Sequence, residues 1–283
     1  MCSSDLLAIA WALARGRFVG KAIIETVVTL PSAGGTENIA EGADGALYVT
    51  GIDDRTIWKV TYDGKSGAVS AFATIPTVAA VVGIAPTANG VVVTAFGRPF
   101  RAPAAGGGAP QVNFSDVDPQ VIALDRSGRV VSTVHGEKGQ AFNGIARVPA
   151  DGRGAQPETF LIADSNAATI WHLDLATGRL TPWLTDPQLA PVAGSPAGAN
   201  GIKVRDGWVY VSVSGANAVY RVRMGPDGRP GGRLVTIGEG VRPDDFDVAA
   251  DGSVYLSSGT AVYRLPSGGT FTKILDKIGR AHV

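Results

Sequence analysis

The sequence predicts an all-β chain of the β-propeller type, and three observations carry that expectation. A unit of strand, turn, strand, turn, strand recurs five times along the 283 residues. The copies open at Glu37, Val82, Asn143, Asn200 and Asp244, at intervals of 45, 61, 57 and 44 residues. A period in the forties built of short strands is the spacing of a propeller blade. The 38 glycines suit a fold in which many short strands are joined by tight turns.

The clearest copy spans residues 199–223. Asn200-Gly201-Ile202-Lys203-Val204 reads as a first strand and Asp206-Gly207 as a turn. From Trp208 to Val213, Val209 and Val211 alternate with Tyr210 and Ser212, the period of two expected of a strand. Gly215-Ala216-Asn217 turns again into a third strand. In every copy an apolar residue stands two places after the first: Ile39, Ile84, Ile145, Ile202 and Phe246. A slip of one residue would turn that apolar set to the wrong face. The register therefore selects Glu37 over Glu41 and Asp244 over Asp245.

Taken in order, residues 6–14 are apolar and followed by Arg15 and Arg17. They read either as the remnant of a secretory signal core, implying a secreted or periplasmic protein, or as a short terminal helix. Residues 22–30 read as a strand expected to join the last blade and remove an open sheet edge. Blade one runs from Glu37 to near Ala73. Blade two runs from Val82 to near Val134, its third strand displaced to residues 121–124 by a Gly/Pro-rich insertion. That insertion holds Arg98, Phe100, Arg101, Phe114, Asp116 and Asp118, and reads either as a binding loop or as a disordered surface loop. Blades three, four and five run from Asn143, Asn200 and Asp244 to near Leu184, Ile237 and Leu275. Shorter insertions fall at residues 151–158 and 186–198. The expected architecture is a propeller of the six-bladed type with five blades evident and the last truncated; a sixth would fit beyond Lys277.

The two ends look foreign to this domain. Ile278-Gly279-Arg280-Ala281-His282-Val283 can be encoded by ATC GGA AGA GCA CAC GTC. The reverse complement, read from its second codon with GTG as a start, gives Met1-Cys2-Ser3-Ser4-Asp5. Residues 1–6 and 278–283 are accordingly expected to be sequencing-adapter read-through, residues 7–24 an N-terminal remnant, and residues 25–277 a single propeller domain. Cys2, the one cysteine, and His282 are set aside as chemistry on the same ground.

Twenty-five basic and 25 acidic residues leave no net charge, and no basic cluster points to nucleic acid. No apolar run approaches the length of a membrane span. Chemistry is expected instead at the opening residue of each copy, because the innermost strands of a propeller surround its central channel. Glu37, Asn143, Asn200 and Asp244 are hard oxygen donors; Val82 is not. Two carboxylates and two amides suit a divalent cation of the calcium kind rather than zinc, which prefers His or Cys. The competing reading makes Asn-Gly and Asp-Asp ordinary turn formers.

In the order and identity of these opening residues the chain resembles the regucalcin/gluconolactonase family of six-bladed propellers, in ENIAEGADGALYVT, FNGIA with FLIADSNAATIWHLD, GANGIKV with VYVSVSGANAVYRV, and RPDDFDVAADGSVYLS. The resemblance implies a metal, usually calcium, held by Glu37, Asn143, Asn200 and Asp244. It implies hydrolysis of a small-molecule lactone, ester or organophosphate. Asp244 would double as ligand and as base or nucleophile, with Asp247 behind it as an orienting acid. The alternative class is a non-catalytic propeller that binds a ligand or protein around a structural calcium; fold alone does not choose.

Other motifs carry less. His135 and His172 have no triad-like partner, and Gly106-Gly107-Gly108 is not followed by the Lys-Ser/Thr of a phosphate loop. Asp164-Ser165-Asn166 reads as a turn, and Trp58, Trp171 and Trp208 as packing between blades.

Overall fold

The computed structural model describes residues 28–31, 35–64, 66–102, 111–149, 158–195 and 197–276. Among them the chain forms five four-stranded antiparallel sheets. The first holds β1 (Thr36–Glu41), β2 (Leu47–Gly51), β3 (Thr56–Tyr62) and β4 (Gly67–Thr74). The second holds β5 (Ala80–Thr87) and β6 (Gly90–Phe96). Its chain then leaves for a small hairpin, β7 (Arg101–Ala102) and β8 (Gln111–Val112), and returns as β9 (Pro119–Asp125) and β10 (Val130–His135). The third holds β11 (Phe142–Arg147), β12 (Thr159–Asp164), β13 (Thr169–Asp174) and β14 (Arg179–Thr185). The fourth holds β15 (Ala199–Arg205), β16 (Trp208–Val213), β17 (Ala218–Arg223) and β18 (Val235–Glu239). The fifth holds β19 (Phe246–Val248), β20 (Val254–Ser258), β21 (Ala261–Leu265) and β22 (Thr272–Leu275).

The five predicted blades are thus present, including the displaced third strand of the second. No sixth four-stranded sheet is formed by the described residues, and the suspected adapter ends, the N-terminal remnant and most of the expected strand over 22–30 lie outside them. Gly106-Gly107-Gly108 and the core of the 151–158 insertion do so too.

Strand alternation builds the core. In β16, Val209, Val211 and Val213 pack toward the third sheet with Leu161 and Ile170, while Tyr210 faces the fifth with Phe246 and Leu256. Similar clusters fill the spaces between the first and second sheets and between the second and third. Burying each such aliphatic side chain stabilises the fold by roughly 1.5–3 kcal/mol. Between the fifth and first sheets, Val262 joins Ile39, Val49 and Val60, with Val28 and Leu30 packed against them. Residues 28–30 are not in a strand and contribute Val28 and Leu30 to this cluster. Around the axis the first strands lie side by side in the order β1, β5, β11, β15, β19.

Candidate functional site

The opening residues sit at a backbone irregularity that their sequence does not announce. Pairing of the first two strands slips between Thr36 and Ile39, Val81 and Ile84, Phe142 and Ile145, and Ala199 and Ile202. Each slip is a β-bulge, and it encloses Glu37, Val82, Asn143 or Asn200. A bulge re-aims a side chain and interrupts pairing, so these residues leave the ladder. In the fifth sheet Asp244 and Asp245 stand just before β19, with Asp244 N–H donating to Ser257 O and Ser257 N–H to Asp245 O, each at 3.1 Å.

Asn143-Gly144 and Asn200-Gly201 therefore lie inside strands, not in turns. Their glycines serve close approach. A Cβ on Gly83 would run into the Asn143 carbonyl, and one on Gly144 into that of Asn200. Neither has a positive φ.

Hydroxyls on the second strands tie neighbouring bulges together. Thr50 Oγ1 accepts from Asn38 N–H and donates to Val82 O at 2.6 Å. Thr94 Oγ1 accepts from Gly83 N–H and donates to Asn143 O. Ser212 Oγ accepts from Gly201 N–H and donates to Asp244 O at 3.0 Å. The backbone of one opening residue is thereby set by the sheet before it.

The polar ends of the fourth and fifth sheets touch, and that of the first lies within their field. Asn200 Nδ2 donates to Asp244 Oδ1 at 3.3 Å. Burial, then the charges of Asp244 and Asp245, pushes the Glu37 carboxyl up to about 8; Arg101 pulls the other way. Glu37 and Asp244 are thus within each other's field although 207 residues separate them in sequence. Asp245 is held apart by Lys203, whose Nζ lies 3.0 and 2.9 Å from its two oxygens. Asn143 is buried in the next bulge, with Nδ2 donating to Ser165 Oγ at 3.2 Å. Asp247 is buried on β19, and its Oδ1 accepts the Val248 N–H at 2.8 Å.

Among the described residues no three His, Cys, Asp or Glu stand together as a metal-holding group. The donor set here is two carboxylates plus amide oxygens. It fits a hard dication, whose charge would relieve the crowding of Glu37 against Asp244.

Val82 marks the apolar side of the same ring. It is buried with Ile52, Phe96, Phe114, Val117, Ala141 and Ala197. The insertion is therefore folded at both of its described ends. Phe100 and Phe114 stack at 5.8 Å, the Arg101 guanidinium lies 4.5 Å over Phe100, and Arg101 Nη1 pairs with Asp53 at 3.0 Å. Ala197 comes from the 186–198 insertion, so both insertions meet on the Val82 side.

The remaining motifs lie elsewhere. His135 is exposed on β10, 3.8 Å from Asp118; His172 is on β13, third from the channel, its basicity lowered by burial. Asp164 caps its turn through Ala141, Asn166 and Ala167 N–H and accepts from Trp171 Nε1 at 2.9 Å. Trp58 bonds Asp54 in the same way at 3.2 Å. Trp208 packs at the edge of the apolar cluster between the fourth and fifth sheets, with the Arg221 guanidinium 4.4 Å over its ring. Sequence reasoning missed Ser165, Ser214 and the bulge hydroxyls. Aligning the second strands, and not only the first, would have exposed them.

No protein-family model and no curated protein matches the chain. Solved structures do. Regucalcin from Agrobacterium tumefaciens, a calcium-binding protein, superposes with a TM-score of 0.56 at 16% identity, over 86% of this chain and 74% of that one. Virginiamycin B lyase from Staphylococcus aureus, in a catalytically inactive form with quinupristin, gives 0.57 at 17%, over 86% and 71%. Luciferin-regenerating enzyme gives 0.52 at 14%, over 84% and 76%. The resemblance to regucalcin-like propellers read from the sequence is therefore shared by the three-dimensional structure, and the chain is a β-propeller with the fold of these proteins.

Proposed function

We propose that the protein is a divalent-metal-dependent hydrolase of lactone-like or related ester substrates, with calcium the favoured ion. The observation that carries this reading is the contact of Asn200 with Asp244 across two sheets, with the Glu37 carboxyl of a third sheet within the field of Asp244 and Asn143 in the adjoining bulge. Glu37, Asn143, Asn200 and Asp244 would hold the ion. When bound, it would supply a Lewis acid that polarises the substrate carbonyl or phosphoryl oxygen. Asp244 would take the proton of the attacking water or attack directly, and Asp247 behind it would orient the site. The Val82–Phe114 wall would exclude water from one side.

Thermal melting in chelator and then in rising calcium tests the proposal. A ligand that binds only the native state stabilises it by about 2.7 kcal/mol at a hundredfold excess over Kd. A saturable rise, lost in Asn200→Ala, supports the site and leads to a lactone and phosphotriester screen. A flat response overturns the metal reading. A calcium response with no turnover of any tested ester would favour a binding propeller with a structural ion.

A further inference from the structure

We infer that Ser165 and Ser214 are positioning residues that orient the amides of Asn143 and Asn200 so that each presents Oδ1, not Nδ2, to the channel; this rests on the metal-site reading above. An asparagine amide is ambiguous as a ligand, since one end of it is a donor that repels a cation and the other an acceptor that binds one. Something must decide which end faces inward. Asn143 Nδ2 donates to Ser165 Oγ at 3.2 Å, and Asn200 Nδ2 to Ser214 Oγ at 2.9 Å and, at a longer 3.3 Å, to Asp244 Oδ1; with both Nδ2 protons so engaged, Oδ1 is the end of Asn200 left for a cation. Each hydroxyl spends its own proton on the next sheet: Ser165 on Ala199 O at 2.8 Å, Ser214 on Pro243 O at 2.7 Å. A hydroxyl whose proton is committed to a carbonyl can only accept from the amide, so it accepts Nδ2–H and turns Oδ1 away. Both serines are buried, so water does not compete for these bonds.

The distribution of these serines supports the assignment. Ser165 follows Asp164, the partner of Phe142, and Ser214 follows Val213, the partner of Ala199. The same register position is Ile52 in the first sheet, after Gly51 opposite Thr36, and Phe96 in the second, after Ala95 opposite Val81. The hydroxyl is present where the opening residue is Asn. It is replaced by an apolar side chain where that residue is Glu, whose two oxygens are equivalent, or Val, which has none. A hydroxyl serving only to link sheets would not need to follow that pattern. The carbonyls it reaches, Ala199 O and Pro243 O, each directly precede the next opening residue, so orienting one ligand also places the next.

The test is a double-mutant cycle read by calcium titration calorimetry on the full chain, with circular dichroism as the fold control. Ser214→Ala leaves Nδ2 held by the longer bond to Asp244 alone and is expected to weaken calcium binding about ten- to a hundredfold, the usual range for groups that orient a ligand. In an Asn200→Asp background the carboxylate has no wrong end, so adding Ser214→Ala should change the affinity less than about threefold. Equal losses in the two backgrounds would overturn the orienting role and leave a general packing one. Ser214→Ala binding calcium as tightly as the parent would overturn the inference while the metal reading stands. No saturable binding by the parent would remove both. If Ser214→Ala does not fold, Ser165→Ala with Asn143→Asp reads the same cycle in the third sheet, with the same outcomes deciding.

Discussion

The second and fourth sheets have the same backbone and opposite chemistry. Both pair their first two strands with a slip around the opening residue, Val82 in one and Asn200 in the other. Both tie that slip to the next sheet through a hydroxyl, Thr94 or Ser212. Yet Val82 is buried against Phe96 and Phe114, whereas Asn200 bonds Ser214 and Asp244. The bulge is therefore scaffold, repeated in the first four sheets. What a sheet contributes is decided by two side chains, the opening residue and the one just past its partner strand. Ligand arrays built on repeats follow this logic, because one geometry is reused and only its termini are edited.

The comparison can be tested from its largest expected consequence downward. Asp244→Asn keeps an oxygen donor and removes the base. Turnover of a lactone substrate should fall at least about a hundredfold while calcium still raises the melting temperature; hydrolysis at the parent rate would remove Asp244 from catalysis. Val82→Asn transplants the fourth sheet's opening residue without its serine. With Phe96 where Ser214 would be, the amide meets an apolar cluster, and a buried unpaired polar group costs about 1–3 kcal/mol. The variant should melt lower in chelator and bind calcium no more tightly than the parent. Tighter binding would show that the opening residue alone makes the ligand.

The pH dependence of stability is a third test. Glu37 holds its proton to about 8 in the folded protein against 4.5 when unfolded. Between these values the unfolded chain binds fewer protons, so the contribution of Glu37 to stability is full below about pH 4.5 and is lost as pH rises toward 8. In chelator the melting temperature should be lower at pH 8 than at pH 5 by about 5 °C or more, a difference that Glu37→Gln should flatten and calcium should offset. The smallest expected effect is that of Thr94→Ser. It keeps the bond to Asn143 O and loses one methyl group, so its melting temperature should stay within roughly 3 °C of the parent, about the effect of 1 kcal/mol in a domain of this size. Thr94→Val, which strands Gly83 N–H and Asn143 O, should cost more, as the drop in the same melt would report.

Much of the fold was legible because the repeat is written in a period of two. Alternation in residues such as Val209, Val211 and Tyr210 marks which side chains share a face of a strand, and the spacing of copies marks the blades. The opening residues were legible for the same reason, as polar residues at a fixed register before an apolar one. The hairpin of the second sheet was open to two readings because its contacts are long-range: nothing near Arg101 in sequence points to Asp53, nor does Phe114 point to Val82. Asn143-Gly144 and Asn200-Gly201 were ambiguous because Asn-Gly favours turns in isolation. The bulge appears only when β12 or β16 pairs alongside.

By itself the sequence determined the strand pattern, the number of evident blades and which opening residues are polar, all of which depend on residues close together in the chain. Only the tertiary structure decided which donors meet. Glu37 feels the charge of Asp244, and Asn200 touches it, because five sheets packed on apolar faces bring their first strands around one axis. The same packing places Ser165 and Ser214 against the amide nitrogens of Asn143 and Asn200, since each serine is itself held by a carbonyl of a neighbouring sheet. Residue type sets what a side chain can do; burial and long-range hydrogen bonding select among those possibilities.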